Sequence, residues 1–189
     1  MKTYRTTSCA EFARLASEQS EERLIIHRAF APCAWTGRLR TLNESECRRR
    51  GIPIGRGEYI GGSIVCMPGD LSLCLMSWGN SDFAPALVEA AADWLTERGI
   101  AVERDNNDVL ADGKKVISWA RATTVRGWTQ SVVHFSVGPM DIGLVRAICT
   151  KPMAKEPGSL GEYGITAELI LSALRDNIIF AEEGGEHEQ

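Results

Sequence analysis

The chain has 189 residues, of which 44% are hydrophobic and 24% are charged, and its formal net charge at pH 7 is −4. This composition is that of an ordinary globular chain and excludes a disordered or fibrous protein. The length suits one domain with a proper core, which we expect over residues 1–180. The remaining residues, 181–189, are rich in glutamate and are expected to form an acidic, frayed tail.

The charge is unevenly distributed along the chain. Residues 1–56 carry 11 Lys and Arg against 6 Asp and Glu, whereas residues 57–189 carry 10 against 19. An arginine-dense stretch over 38–56 in an acidic protein indicates a local anion site and disfavours nucleic acid as the partner. A nucleic-acid-associated module that uses these arginines stays as the weakest alternative.

Cysteine usage argues against a metal centre. No two of the six cysteines have C-x-x-C spacing, and the three histidines do not cluster with them along the chain. We therefore expect no metal site, no disulfide framework, and thiols that pack as small hydrophobes in a reducing compartment. There is no signal-peptide pattern and no long apolar run, so the sequence predicts a cytoplasmic protein without a membrane partner. The cysteines are Cys9, Cys33, Cys47, Cys66, Cys74 and Cys149.

The first predicted elements alternate short helices and strands. A capping-box pattern at Ser8 begins a helix, and apolar runs predict strands over 24–30 and 34–37. Asn43 caps a second short helix, which ends at Gly51. The following strand over 63–66 leads through Pro68-Gly69-Asp70 into 71–76, which we interpret as its hairpin partner.

The clearest helix is predicted over 85–98, because its apolar residues recur at helical spacing and Gly99 follows as the terminating residue. Strands are predicted over 100–102 and 109–111, and Asp112-Gly113 is a strong two-residue hairpin signal. Further strands are expected over 116–120 and 131–137, a short helix over 141–147, and a final helix capped by Thr166 and reaching about Asn177. Hairpins mixed with helices predict an α+β fold around a mixed sheet.

Several motifs in order resemble the lipoate–protein ligase family, which also contains octanoyltransferases and biotin ligases. The match covers about residues 31–148. It consists of the segments 31–38, 51–54, 56–64, 107–109, 112–115, 134–137 and 141–142. The resemblance implies a mixed, mostly antiparallel sheet flanked by helices. It also implies transfer of a lipoyl or octanoyl group to a lysine of a lipoyl-type carrier domain.

The resemblance also implies roles for individual residues. Lys115 would place a positive charge where negative charge develops on the acyl carbonyl and phosphate, although a turn lysine that stays solvated is the alternative. Cys149 lies near the position of the acyl-accepting cysteine of octanoyltransferases, with a buried structural cysteine as the alternative. The expected cofactor-binding residues are Arg56, Gly61, Gly62, Ser63, Asn107, Asp108 and His134. ATP and Mg²⁺ would be needed by a ligase, with lipoate or octanoate as substrate, and no metal would be tightly held.

Departures from the family pattern leave a second hypothesis open. Tyr59 and Ile60 replace a small residue and a glycine of the family loop, and the bulky Trp119 follows the Lys115 motif. These side chains would reshape or fill the pocket, which would leave a catalytically inactive protein that binds a carrier or a small acid. The extra C-terminal domain of many ligases is not found in this sequence, so a separate accessory subunit is a second kind of partner that the resemblance leaves open.

Overall fold

The computed structural model describes residues 1–57 and 62–176. The predicted tail over 181–189 and the predicted end of the last helix at Asn177 lie outside these residues. Within the described part, ten strands form two sheets, and five α-helices pack around them. The predicted α+β fold with a mixed sheet is confirmed.

The elements have the following bounds. The strands are β1 Lys2–Thr6, β2 Arg23–Arg28, β3 Cys33–Thr36, β4 Ile54–Arg56, β5 Ser63–Cys66, β6 Leu71–Trp78, β7 Val102–Asp105, β8 Asp108–Ala111, β9 Lys114–Thr123 and β10 Trp128–Phe135. The helices are α1 Cys9–Leu15, α2 Glu44–Arg49, α3 Phe83–Glu97, α4 Ile142–Ile148 and α5 Ala167–Ala173, with a short 3₁₀ turn at Leu160–Tyr163.

The large sheet has the strand order β1-β2-β6-β10-β9-β8-β7. Among the strand pairs of this sheet that the structure describes, only β1–β2 is parallel, so the sheet is mostly antiparallel. The small sheet has the order β4-β3-β5, with β3 parallel to β4 and antiparallel to β5.

Alternation along the strands gives the large sheet two different faces. One face packs under α3 and α5 through Leu24, Leu73 and Phe135 and forms the main core. The opposite face carries Ile25 and Cys74, and it packs against α1 and the small sheet. The sheet is therefore the middle layer of the domain, and the space between its second face and the small sheet is available for a site.

The predicted hairpin between 63–66 and 71–76 is wrong, because β5 and β6 belong to different sheets. β5 pairs with β3, whereas β6 pairs with β2 and β10. The turn signal at Pro68-Gly69-Asp70 is real, but the buried Asp70 carboxylate accepts hydrogen bonds from the Met67, Val137 and Gly138 amides. The carboxylate therefore stabilises the segment that crosses from β5 in the small sheet to β6 in the large sheet, where the sequence had predicted a hairpin turn.

The local capping signals are confirmed. Ser8, Asn43 and Thr166 each accept a hydrogen bond from the backbone amide three residues later, at the start of the expected helices. Asp141, predicted as the first residue of a helix, instead caps α4 in the same way. Asp112 and Gly113 have φ values of 48° and 77° and connect β8 to β9 in the predicted hairpin. The strand predicted over 100–102 lies later in the chain, at β7.

Candidate active site

Two adjoining cavities open between the second face of the large sheet and the small sheet. One has a volume of about 320 Å³ and the other about 180 Å³. Their shared wall contains Gly62, Ser63, Ile64, Lys115, Ser118 and His134. The structure therefore brings together residues of β5, β9 and β10 that are up to 71 positions apart in the sequence.

Lys115 lies on this shared wall, near the start of β9. Its backbone amide donates to the Glu156 carbonyl at 2.8 Å, and its own carbonyl accepts from Gly158 at 2.8 Å. Its ammonium lies 3.7 Å from Asp108 Oδ1, and its side chain is 36% exposed. The neighbouring Lys114 lines neither cavity and is paired with Glu162 instead, as expected for adjacent strand residues that point to opposite faces.

Asp108 is held between two lysines. Lys155 Nζ donates to Asp108 Oδ2 at 2.8 Å and to the Asp105 carbonyl at 2.9 Å, while Lys115 approaches Oδ1. The hydrogen bond to Asp108 raises the pKa of Lys155, which keeps this side chain cationic. Lys155 belongs to none of the motifs recognised in the sequence. The loop that contains Lys155 is held at the cavity by backbone hydrogen bonds between Lys115 and two loop residues, Glu156 and Gly158.

His134 is buried on β10 and contacts both cavities. Ser72 Oγ lies 2.9 Å from its Nδ1, and Asp70 Oδ2 lies 3.6 Å from its Nε2. Burial, helped by the nearby Lys115 charge, lowers the pKa of His134 to about 3, so the ring is neutral at physiological pH. A neutral ring fixed by Ser72 can shape the cavity wall but does not add a charge to it.

Cys149 lies at the end of α4 and lines the larger cavity. Burial raises the pKa of its thiol above the usual value, and this effect outweighs the opposing effect of Lys115. A thiol in this environment is protonated at neutral pH, which does not suit a resting nucleophilic thiolate.

The structure does not bring every predicted residue to these cavities. Arg56 lies in a separate cavity of about 280 Å³ with Arg38 and Arg40, and its guanidinium is paired with Glu44 at 2.6 Å. Asn107 is exposed in the turn between β7 and β8 and lines neither cavity. Gly61 lies outside the described residues, as do Tyr59 and Ile60.

Trp119 borders the smaller cavity without filling it. Its side chain is partly buried and packs against the core beneath α3. Trp119 therefore leaves this cavity of about 180 Å³ unfilled.

Cysteines and a histidine that are dispersed along the chain lie close together in the structure. Ligand atoms of Cys9, His27 and Cys66 lie within 4.8 Å of one another, and all three residues are buried. Cys9 and Cys33 form a disulfide, which the dispersed spacing of the cysteines did not predict. The four side chains come from α1, β2, β3 and β5, so only packing of these elements reveals the cluster.

The fold is similar to that of lipoate–protein ligases of known structure. A putative lipoate protein ligase from T. acidophilum with bound lipoic acid shares 15% identity and a TM-score of 0.68, over 95% of this chain and 83% of that chain. P. falciparum LipL1 in complex with lipoate shares 12% identity and a TM-score of 0.71, over 100% of this chain and 64% of that chain. Lipoate-protein ligase A bound with ATP shares 15% identity and a TM-score of 0.69, over 96% and 84%. At these identities the comparison establishes the fold, which agrees with the expectation from the motifs.

Sequence comparisons found no matching family model and no matching curated protein. No helix within residues 1–57 and 62–176 is long and apolar enough to cross a membrane.

Proposed function

We propose that this chain is an acyl-attachment enzyme of the lipoate–protein ligase type, which joins a lipoyl or octanoyl group to a lysine of a lipoyl-type carrier domain. The observation that carries the proposal is the position of Lys115 on the wall shared by the two cavities. The fold similarity to proteins solved with lipoate and with ATP supports it. The cytoplasmic location predicted from the sequence is part of the same proposal.

The charge distribution fits an anionic substrate group in the larger cavity. Among the residues that the structure describes, Lys115, Lys151 and Lys155 line it together with one carboxylate, that of Asp108. An excess of ammonium groups in a partly enclosed space attracts a carboxylate or a phosphate. In this proposal Lys115 stabilises the negative charge that develops on the acyl carbonyl and its leaving group, and Asp108 positions the lysine.

The smaller cavity suits the hydrocarbon part of the substrate. Its lining includes Ile64, Ala120, Ala122 and Val132, and it joins the larger cavity at Lys115. An acyl chain lying there would place its carboxyl end beside the ammonium groups. This division into an apolar pocket and a few convergent polar groups is typical of small-molecule sites.

Asp108 does not fit the role of a magnesium ligand in the observed arrangement. Both of its carboxylate oxygens face lysine ammonium groups, at 3.7 Å and 2.8 Å. A Mg²⁺ ion would have to displace Lys155 before it could bind there, so we assign Asp108 to lysine positioning and derive no step through the metal. If Mg²⁺–ATP is a substrate, its metal is held by the nucleotide and by groups other than this carboxylate.

The environment of Cys149 favours a ligase over a cysteine-dependent transferase. A transferase would need an activated thiolate, whereas burial raises the pKa of this thiol. We therefore propose direct activation of the free acid with ATP, with Cys149 as a lining residue of the pocket.

The proposal is tested with the purified chain, a lipoyl domain and two donor sets: lipoate or octanoate with Mg²⁺–ATP, and an octanoyl thioester without ATP. Mass spectrometry of the lipoyl domain should show one added acyl group with the first set. Lys115→Ala should lower the rate by about 100-fold, as expected for loss of a preorganised charge, while Lys114→Ala and Cys149→Ala should stay within about twofold of wild type. No mass shift from either donor set, in protein shown to be folded, would refute the proposed reaction.

A separate subunit is an additional element of the proposal. One similar structure, 17% identical with a TM-score of 0.68 over 96% of this chain and 82% of that chain, is described as a bi-partite lipoate protein ligase with its E2 lipoyl domain from Thermoplasma acidophilum. If this chain also works in two parts, activity should appear only after a second protein is added, whereas acid binding should not require it.

The second candidate function is binding without catalysis, favoured by the engagement of Asp108 by two lysines. In that case the protein would bind the lipoyl domain or the free acid but would form no acyl-adenylate from ATP. Isothermal titration with octanoate, followed by a pyrophosphate-release assay on the same sample, separates the two functions.

A further inference from the structure

A buried cluster of three cysteines and one histidine lies outside the proposed active site. Cys9 is the first residue of α1, His27 belongs to β2, Cys33 begins β3 and Cys66 ends β5. Their exposed fractions are 2%, 0%, 5% and 0%, respectively. No step of the proposed acyl transfer uses any of these groups, so their convergence needs another explanation.

The distances within the cluster match those between ligands of one metal ion. Cys9 Sγ lies 3.7 Å from His27 Nε2, and the ligand atoms of Cys9, His27 and Cys66 all lie within 4.8 Å of one another. In a tetrahedral zinc site with ordinary bond lengths, sulfur and nitrogen ligands are about 3.5 Å apart and two sulfurs about 3.8 Å. Small side-chain adjustments would therefore bring the three ligand atoms around one ion.

Cys33 is placed to supply the fourth ligand. It is the direct cross-strand partner of Cys66 in the antiparallel β3–β5 pair, so the two side chains lie on the same face of the small sheet. Its sulfur is bonded to that of Cys9 in the structure. Three sulfurs and one imidazole nitrogen form a donor set that Zn²⁺ commonly takes in closed structural sites.

The local structure holds α1 close enough to the small sheet for this cluster to exist. A Cβ atom at Gly55 of β4 would lie 2.0 Å from the Cys9 carbonyl oxygen, so only glycine permits this approach. The approach sets the first turn of α1, and with it Cys9, against the edge formed by β3 and β4. Substitution of Gly55 would push Cys9 away from the other three residues.

The His27 ring directs one of its nitrogens, Nε2, at the cysteines. His27 is fully buried, and its Nδ1 makes no hydrogen bond of good geometry. The imidazole is therefore shielded from solvent and lies beside a sulfur atom, as a metal-binding histidine would.

We propose that Cys9, Cys33, Cys66 and His27 bind one Zn²⁺ ion when Cys9 and Cys33 are in the thiol form. The structure shows the disulfide form, and the two states exclude each other because a metal ligand must be a free thiolate. A dithiol converts one into the other: it donates two electrons and two protons to the Cys9–Cys33 bond and itself becomes a disulfide. Binding of Zn²⁺ then releases the protons of the three thiols to solvent.

The bound ion would join α1 and β2 to the small sheet. It would also lie in the same core cluster as Trp35, which lines the smaller cavity of the proposed active site. The site is independent of the acyl-transfer proposal, because its ligands and its test do not involve an acyl substrate.

The test measures metal content of the full chain in both redox states. After reduction with a dithiol, addition of Zn²⁺ and gel filtration, mass-spectrometric elemental analysis should find one zinc per chain. Oxidation with diamide should release it and restore the Cys9–Cys33 disulfide in a peptide map. Reduced protein with Co²⁺ should show the visible d–d bands of a tetrahedral site and a thiolate-to-cobalt charge-transfer band.

Variants assign the ligands. Cys66→Ser and His27→Gln should no longer bind zinc stoichiometrically. The control is Cys74→Ser, which should keep the zinc, because Cys74 is fully buried in the same core but is not part of the ligand cluster. Because a ligand variant can also fail to fold, circular dichroism is recorded for each one, and the diamide experiment needs no variant. Reduced wild-type protein that binds neither zinc nor cobalt stoichiometrically would overturn the proposal and leave a simple disulfide. Full zinc retention in folded Cys66→Ser or His27→Gln would overturn it as well.

Discussion

Asp70→Ala should be among the most damaging single substitutions outside the cavities, because this carboxylate satisfies three buried amides at once. Oδ2 accepts from Met67 N at 2.7 Å, and Oδ1 accepts from Val137 N at 2.7 Å and Gly138 N at 2.8 Å. A hydrogen bond to a charged group contributes about 1.5–3 kcal/mol, and a stranded buried donor costs about 1–3 kcal/mol. We expect a loss of about 4–6 kcal/mol in the free energy of unfolding, against a total of about 5–15 kcal/mol for a typical domain.

The assay is urea unfolding at pH 8, followed by tryptophan fluorescence and circular dichroism. With a urea dependence of about 2 kcal/mol per molar, the midpoint should fall by about 2–3 M in Asp70→Ala. Asp70→Asn keeps one oxygen acceptor and should lose about half as much. Asp82→Ala removes a carboxylate that is 84% exposed and paired only with Arg121 among the ion pairs found, so its effect should stay within about 0.5 kcal/mol. A loss below 1 kcal/mol in Asp70→Ala would refute the argument that this side chain holds the crossover.

Three further outcomes are expected. Gly138→Ala should destabilise the fold by about 3 kcal/mol in the same assay, since its Cβ would lie 2.1 Å from the Pro68 carbonyl oxygen, and an unchanged midpoint would contradict this. The pKa of His134 is lowered from 6.5 to about 3, so its contribution to stability is present above pH 6.5 and is lost as the pH falls towards 3. Between pH 6.5 and 5, wild type should therefore lose about 2 kcal/mol more than His134→Gln, and parallel pH profiles would contradict the assignment. Finally, Lys155→Ala should reduce the rate of acyl transfer about tenfold, because Asp108 loses the ammonium group that holds it in place. Lys155→Arg should restore the rate. Full activity in Lys155→Ala would show that Lys155 does not position Asp108.

Some of the residues predicted from the motifs lie at the cavities and others do not. The motif order pointed to Lys115, Asp108, Ser63 and His134, and the structure brings these residues to one place. Arg56 occurs in the same motif as Ser63, yet a short parallel pairing of β4 with β3 carries it to a separate arginine-lined cavity. Adjacency in a motif therefore did not ensure adjacency in the site.

The sequence by itself determined the local features of this protein. Helix starts at Ser8 and Asn43, the hairpin at Asp112-Gly113 and the amphipathic helix α3 were all predicted correctly, because capping, turn conformation and helical periodicity act within a few residues.

Only the tertiary structure decided what depends on long-range packing. The turn after β5 gave no sign that β6 joins a different sheet, since strand pairing is chosen by burial on both faces and by the buried bonds of Asp70. Lys155 reaches Asp108 from 47 residues away, and the close approach of α1 to Gly55 gathers the dispersed cysteines around His27. Such convergence has no signature in local spacing, because it is fixed by how complete elements fit together.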